Sequence, residues 1–206
     1  MEWLAVFFTT FGFIFALIDP LGYVPLFLAM TATDSKERRQ RMLRRACTTA
    51  FFVLLIFILL GHSILGFFHI SIPALQISGG LILLFIGFEM LNLLHSKEPL
   101  TPSEENEASQ KDDISIVPLA IPMLSGPASI VAVVVLTAKS SAVANYLVVI
   151  LSVFLTLLIT YFVLSASERI MKVVGLTGVN AASRIMGLLL SAMAVQFVID
   201  GFLAIR

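Results

Sequence analysis

Apolar residues run through this chain in long blocks, and polar ones are confined to short clusters between them. Residues 46–88 contain no Asp, Glu, Lys or Arg at all. One bilayer crossing takes about 20 helical residues, so this block must cross, turn and cross again. The turn is Gly66-Phe67-Phe68-His69-Ile70-Ser71-Ile72-Pro73, where Pro73 suits the first turn of a helix. The same reading along the whole chain predicts six spans, over residues 3–30, 46–66, 73–94, 114–138, 143–165 and 181–203. Trp3 is placed as an interfacial anchor at the start of the first. Residues 31–45 form a charged link in which Thr33 or Asp34 is expected to cap a short helix. Residues 95–113 are polar, acidic and without apolar periodicity, which reads as a flexible linker. Lys139-Ser140-Ser141 is a tight turn, and Glu168, Arg169 and Lys172, followed by Gly175 and Gly178, form the last link.

Two of the six spans are interrupted. Ile18-Asp19-Pro20-Leu21-Gly22-Tyr23-Val24-Pro25 lies inside the first, and two prolines there remove backbone donors and crowd the preceding turn. Gly22 between them lets the backbone leave helical geometry. Pro122-Met123-Leu124-Ser125-Gly126-Pro127 repeats the spacing in the fourth span. Irregular backbone at membrane depth persists where protein buries it or where it lines a water-filled space. Asp19 puts a carboxylate at that depth, which is costly and marks a functional group by default.

Composition narrows the class. Of 206 residues 59% are hydrophobic and 13% are charged, and the mean hydropathy is +1.02. Soluble domains carry roughly twice that share of charge. Transmembrane barrel strands would alternate over about ten residues, and no such alternation occurs. The expectation is therefore an all-α integral membrane protein. The formal net charge is zero and no basic patch is interleaved with aromatics, so nucleic acid is not an expected partner. Cys47 is the single cysteine, which excludes an internal disulfide. With an apolar start and no basic n-region, the first segment reads as a retained span and not a signal peptide. Every Lys and Arg except Lys139 and Arg206 falls on the side of the links after spans 1, 3 and 5. The positive-inside bias puts that side in the cytoplasm and both termini outside.

The two halves resemble each other. Pro20 and Pro25 match Pro122 and Pro127 at a constant offset, Ile64 to Ser71 aligns with Ile170 to Thr177, and Gly80 to Leu84 aligns with Gly187 to Ser191. This alignment sets Glu89 opposite Gln196. Each half holds three spans, an odd number, so the second copy inserts upside down. The organisation expected is a first repeat over residues 1–94, the acidic linker over 95–113 and an inverted second repeat over 114–206, with spans 1 and 4 discontinuous. Secondary transporters use this architecture, with substrate at mid-depth between the repeats.

Asp19-Pro20-Leu21-Gly22-Tyr23-Val24-Pro25-Leu26-Phe27, together with Pro118 to Pro127, resembles the paired signature of the MarC family of bacterial inner-membrane proteins. Arg184 to Leu189 and Gln196 to Gly201 are similar to its last helix. The resemblance covers essentially the whole chain. It implies a six-span protein of the bacterial inner membrane and a carrier of small neutral amino acids such as glycine or alanine, without fixing substrate or direction.

Each break exposes N–H groups at one half-helix and carbonyls at the other, so two opposed breaks could hold a zwitterion. The expected substrate site is Asp19, Pro20, Gly22 and Pro25 with Pro122, Ser125, Gly126, Pro127 and Ser129. Asp19 is either the ammonium partner or H+/Na+ coupling site, or a structural cap for the second half-helix. Glu89 and Gln196 either line the path or reach for water at span ends. No cofactor is expected beyond a coupling ion, and no catalytic residues, because no nucleophile stands with a base. His62 and His69 lack clustered carboxylates or Cys and read as interface packing. Expected partners are a small neutral amino acid and membrane lipid, and homo-oligomerisation stays open. A channel and a non-transporting scaffold or regulator are the alternatives.

Overall fold

The computed structural model describes residues 2–91, 115–138 and 142–205. The acidic linker of residues 95–113, the turn Lys139-Ser140-Ser141 and Arg206 lie outside the described residues, as do the side chains of Trp3 and Pro118. All regular structure among the described residues is helical.

The first span is broken as its sequence predicts, but more narrowly. α1 (Glu2–Ile18) and α2 (Tyr23–Met30) meet at a bend of 44°, so the interruption is residues 19–22. Pro25 is not part of it. It sits in the first turn of α2, where a missing N–H leaves no helical bond unmade.

α3 (Lys36–Phe67) absorbs the charged link as its first turns, because Lys, Glu, Arg, Gln, Met and Leu are all good helix formers. Its cap is neither Thr33 nor Asp34. Ser35 has the extended backbone a cap needs, and its Oγ accepts the Arg38 N–H at 3.3 Å. Asp34 pairs instead with the Arg38 side chain at 3.1 Å. α4 (Ile72–Met90) is capped in the same way by Ser71, with Pro73 in its first turn.

The segment predicted as the fourth span begins with α5 (Ser115–Leu124), wound in π geometry. Its five-residue hydrogen-bond spacing continues to the Ser125 N–H, which bonds the Ala120 carbonyl at 2.9 Å. Only Ser125 and Gly126 separate it from α6 (Pro127–Ala138), so Pro122 lies within the first half-helix and Pro127 opens the second. α7 (Val143–Ser165) follows, then α8 (Ser167–Leu203). α8 includes the link expected to be non-helical and kinks only at Gly175, whose φ of 70° favours glycine.

Among the described residues four helices are long and apolar enough to cross a membrane, and the count of spans is five if α1 and α2 form one bent span. Their outer faces carry large apolar side chains, such as Phe8, Phe52, Phe67 and Phe162, each more than half exposed. A water-facing surface rarely tolerates that much exposed hydrocarbon. The chain is a multi-pass membrane protein.

The packing interleaves the two halves. α1 lies on α7, whereas α5 and α6 lie on α3. α2 packs on α8, and α6 on α4. The most extensive pairing joins α4 and α8, antiparallel and at close range. A Cβ on Gly87 would stand 3.0 Å from the Gly187 carbonyl oxygen, and a Cβ on Gly187 would stand 3.0 Å from that of Gly87. Small residues at a crossing let backbones approach in this way.

Candidate functional site

The break between α1 and α2 builds the site. Asp19 has a φ of 40°, a left-handed conformation that Asp tolerates better than most residues. That turn brings its carboxylate inside the bundle, where the residue is only 8% exposed. The Ser183 hydroxyl of α8 donates to Asp19 Oδ2 at 2.6 Å, and the Gly22 backbone N–H donates to the same carboxylate. Gly22 is the N-cap position of α2, yet no side chain caps that helix. A Cβ on Gly22 would collide with both the Asp19 carboxylate and the Ser183 hydroxyl. Glycine is therefore a spatial requirement of this contact.

A cavity of about 420 Å3 opens beside these groups. Its polar lining is Asp19, Tyr23, Glu89, Asn180 and Ser183, and its apolar lining includes Leu17, Leu26 and Ile86. Two carboxylates and no Lys or Arg face it, so its field attracts a cation. The start of α2 adds a partial positive charge at the same place, although the Gly22 N–H is taken by Asp19, the Val24 N–H by the Leu21 carbonyl, and Pro25 has none. Carboxylates, neutral donors and a helix start together suit a small molecule bearing both charges. Among the described residues, no group of three His, Cys, Asp or Glu side chains could hold a metal ion.

The second break does not join this lining. Pro122 and Pro127 are exposed, and Gly126, Ser125 and Ser129 are buried away from the cavity. The Ser125 hydroxyl is taken up locally, donating to the Ala120 carbonyl at 2.9 Å. A Cβ on Gly126 would strike the Pro122 carbonyl oxygen, so backbone already fills the space a ligand would need. One hydrogen bond links the two breaks: Tyr23 Oη to the Met123 carbonyl, 3.2 Å. Pro20 is buried at the first break and Pro25 half-buried in α2, and neither lines the cavity.

Glu89 stands exposed on the cavity's rim, but Gln196 does not face it. On the antiparallel pair, Gly80 lies against Ala194 and Val198, and Gly87 against Gly187 and Ser191. That register puts Glu89 near the level of Gly187 and Gln196 near that of Gly80, about 14 Å apart along the axis at 1.5 Å per residue. Equivalent positions meet only where the helices cross, and these two lie on either side of the crossing. Gln196 donates instead to Asp200 Oδ1 at 2.6 Å on the exposed face of α8.

Tyr23, Asn180 and Ser183 are site residues that sequence reasoning did not single out. The signal available was Asn180-Ala181-Ala182-Ser183, two small polar residues three apart and so on one helix face.

A family model described as MarC family integral membrane protein matches residues 4–205. The UPF0056 inner membrane protein MarC of Escherichia coli is 37% identical over 199 residues, covering 92% of this chain and 90% of its own. The UPF0056 membrane protein of Archaeoglobus fulgidus is 37% identical over 199 residues, covering 97% and 93%. The UPF0056 membrane protein YvbG of Bacillus subtilis is 34% identical over 186 residues, covering 90% and 88%. No solved structure matches. The broken first span and the carboxylate at its break thus sit in a chain that matches one family from residue 4 to residue 205: it belongs to the MarC family of integral membrane proteins.

Proposed function

We propose that this protein is a secondary carrier of small neutral amino acids, glycine- or alanine-like, in the bacterial inner membrane. It works by alternating access, coupled to H+ or Na+, and is not an enzyme. The observation that carries this reading is the buried Asp19 carboxylate at a helix break, open to a cavity of about 420 Å3. Asp19 and the rim carboxylate of Glu89 would receive the substrate ammonium or the coupling ion. The positive end of α2 and the Ser183 and Asn180 side chains would receive its carboxylate. Leu17, Leu26 and Ile86 would limit the side chain.

Helix pairing supports an inverted repeat. The second half of the first broken span packs on the last helix, and the second half of the other broken span packs on α4, the last helix of the first half. The alignment equates Gly80 with Gly187 and Gly87 with Ala194, and the paired close approaches Gly87–Gly187 and Gly80–Ala194 are what a two-fold axis through the α4–α8 crossing would produce. Under that symmetry α5 and α6 form one span, completing six, and both termini lie on the same side. The start of α3 and the α7–α8 junction meet through the Arg39–Glu168 ion pair, which gathers the basic residues at one end. That end is read as cytoplasmic, and the name of the Escherichia coli relative supports the inner membrane. The cavity is built from the end of α4, the end of the first broken span and the early turns of α8 beyond Gly175, all in the half nearest the basic end. That placement supports an inward-open state.

The test is counterflow in proteoliposomes with a panel of labelled amino acids, with and without proton and sodium gradients. Saturable exchange of small neutral amino acids is expected. Non-saturating ion flux would make the protein a channel, and no flux of any panel member would end the carrier reading.

A further inference from the structure

A second cavity, of about 540 Å3, opens where α3 begins and α7 passes into α8. Lys36 and Arg39 line it from α3, and Arg169 and Lys172 from α8. Glu168 is the only carboxylate in that lining, and it pairs with Arg39. Among the described residues Lys36, Arg169 and Lys172 have no ion-pair partner. The lining therefore carries an excess of positive charge on two separate stretches of chain. Two further features point the same way. α8 begins here with Ala166 at its N-cap, so no side chain takes up its orphan N–H groups. The Ser165 hydroxyl, which also lines the cavity, is buried without a hydrogen-bond partner.

The cavity continues along the bundle. Gln40 lines it on α3, and one turn further Arg44 begins a groove of about 520 Å3. Ser165 lines it on α7, and one turn back Tyr161 borders the same groove. From there the groove runs between α3 and α7 past Cys47, Phe51, Phe154 and Leu158. A charged pocket that leads into an apolar furrow has the outline of a phospholipid.

We propose that the α3–α7 seam binds one anionic phospholipid. Its phosphate sits among Lys36, Arg39, Arg169 and Lys172, and one acyl chain lies in the furrow. A phosphate ester matches the unpaired cations, the uncapped helix start and the Ser165 hydroxyl at once. The furrow selects a lipid over a free phosphate, because a soluble anion would leave it unfilled. This inference stands apart from the transport reading and survives its failure.

The experiment is native mass spectrometry of the full-length protein titrated with phosphatidylglycerol or phosphatidylcholine. One phosphatidylglycerol is expected to be retained in preference to phosphatidylcholine. Each cation near a charged headgroup contributes roughly fivefold in affinity, so K36Q/R169Q/K172Q should lose at least about tenfold. The single variant Lys172→Gln, at an exposed side chain, repeats the test with minimal risk to folding. Arg41→Gln removes a cation from the same charged run but outside the cavity, and should change nothing. Leu158→Trp should weaken long-chain phosphatidylglycerol more than a six-carbon-chain analogue. Three results would overturn the proposal: equal retention of phosphatidylcholine, an Arg41→Gln loss equal to that of Lys172→Gln, or displacement by inorganic phosphate at lipid-like concentrations. The second would mean diffuse surface attraction, and the third a free-anion site.

Discussion

The Tyr23 hydroxyl donates to the Met123 carbonyl at 3.2 Å, joining the first turn of α2 to the last turn of the π-wound α5. The two interrupted spans thus meet through a side chain at one break and main chain at the other. Removing the hydroxyl in Tyr23→Phe leaves the packing and deletes the bond. The expected cost is about 1 kcal/mol of stability. Thermal unfolding in detergent measures it, and an unchanged midpoint would mean that this tether holds nothing.

Gly22 and Gly12 make a matched pair of tests. A Cβ at Gly22 meets Asp19 and Ser183, whereas a Cβ at Gly12 has nothing within 4 Å. Gly22→Ala should destabilise by about 1–3 kcal/mol and displace the Asp19 carboxylate. Gly12→Ala, in the interior of α1, should be neutral or stabilise by up to about 1 kcal/mol. Equal effects on unfolding would show that the space at Gly22 is not the constraint described here.

Ser183→Ala and Asp19→Asn separate binding from scaffolding. Taking one partner out of a buried hydrogen bond costs about 1–3 kcal/mol, so Ser183→Ala should lower stability measurably. Asp19→Asn keeps an acceptor for Ser183 and removes the charge, so it should fold better than Ser183→Ala while losing ion-coupled uptake. Unchanged, still coupled uptake in Asp19→Asn would remove this carboxylate from the coupling role and leave it as a structural brace for the break.

The α4–α8 crossing predicts a third class of effect, at a helix seam that reaches the cavity lining through Met90. A side chain at Gly187 would meet Met90 Cβ at 2.6 Å and the Gly87 carbonyl oxygen at 3.0 Å. Gly187→Leu should force the helices apart and destabilise by several kcal/mol, more than the usual overpacking cost of about 1–3 kcal/mol, because backbone cannot yield as a side chain does. Leu188→Ala, one residue on and facing outward at 61% exposure, should be nearly silent in the same unfolding assay.

The chain's own order of residues determined most of what is local. Hydropathy marked the long spans because crossing a bilayer demands an apolar run wherever that run sits in the bundle. α7 coincides with the predicted fifth span. Both breaks were legible because proline and glycine act on their own backbone. Even there, the sequence pointed to Thr33 or Asp34 as the cap, and backbone conformation selected the neighbouring Ser35 instead. Pro25 and Pro127 looked like parts of the breaks, but proline is as suited to opening a helix as to ending one.

What joins distant residues needed the tertiary structure. Nothing near Ser183 in the chain announces that it will meet Asp19, because their contact depends on how α8 lies against the first break. Repeat alignment made Glu89 and Gln196 look like partners, yet the antiparallel register of α4 on α8 puts them on opposite sides of the crossing. Symmetry also implied two equivalent breaks. One became a cavity with a carboxylate, while the other closed on its own backbone through Ser125 and Gly126. Local rules act along the backbone and can be read in order. The site is decided by helix register and side-chain volume between residues 164 positions apart in the chain, and those exist only once the helices are packed.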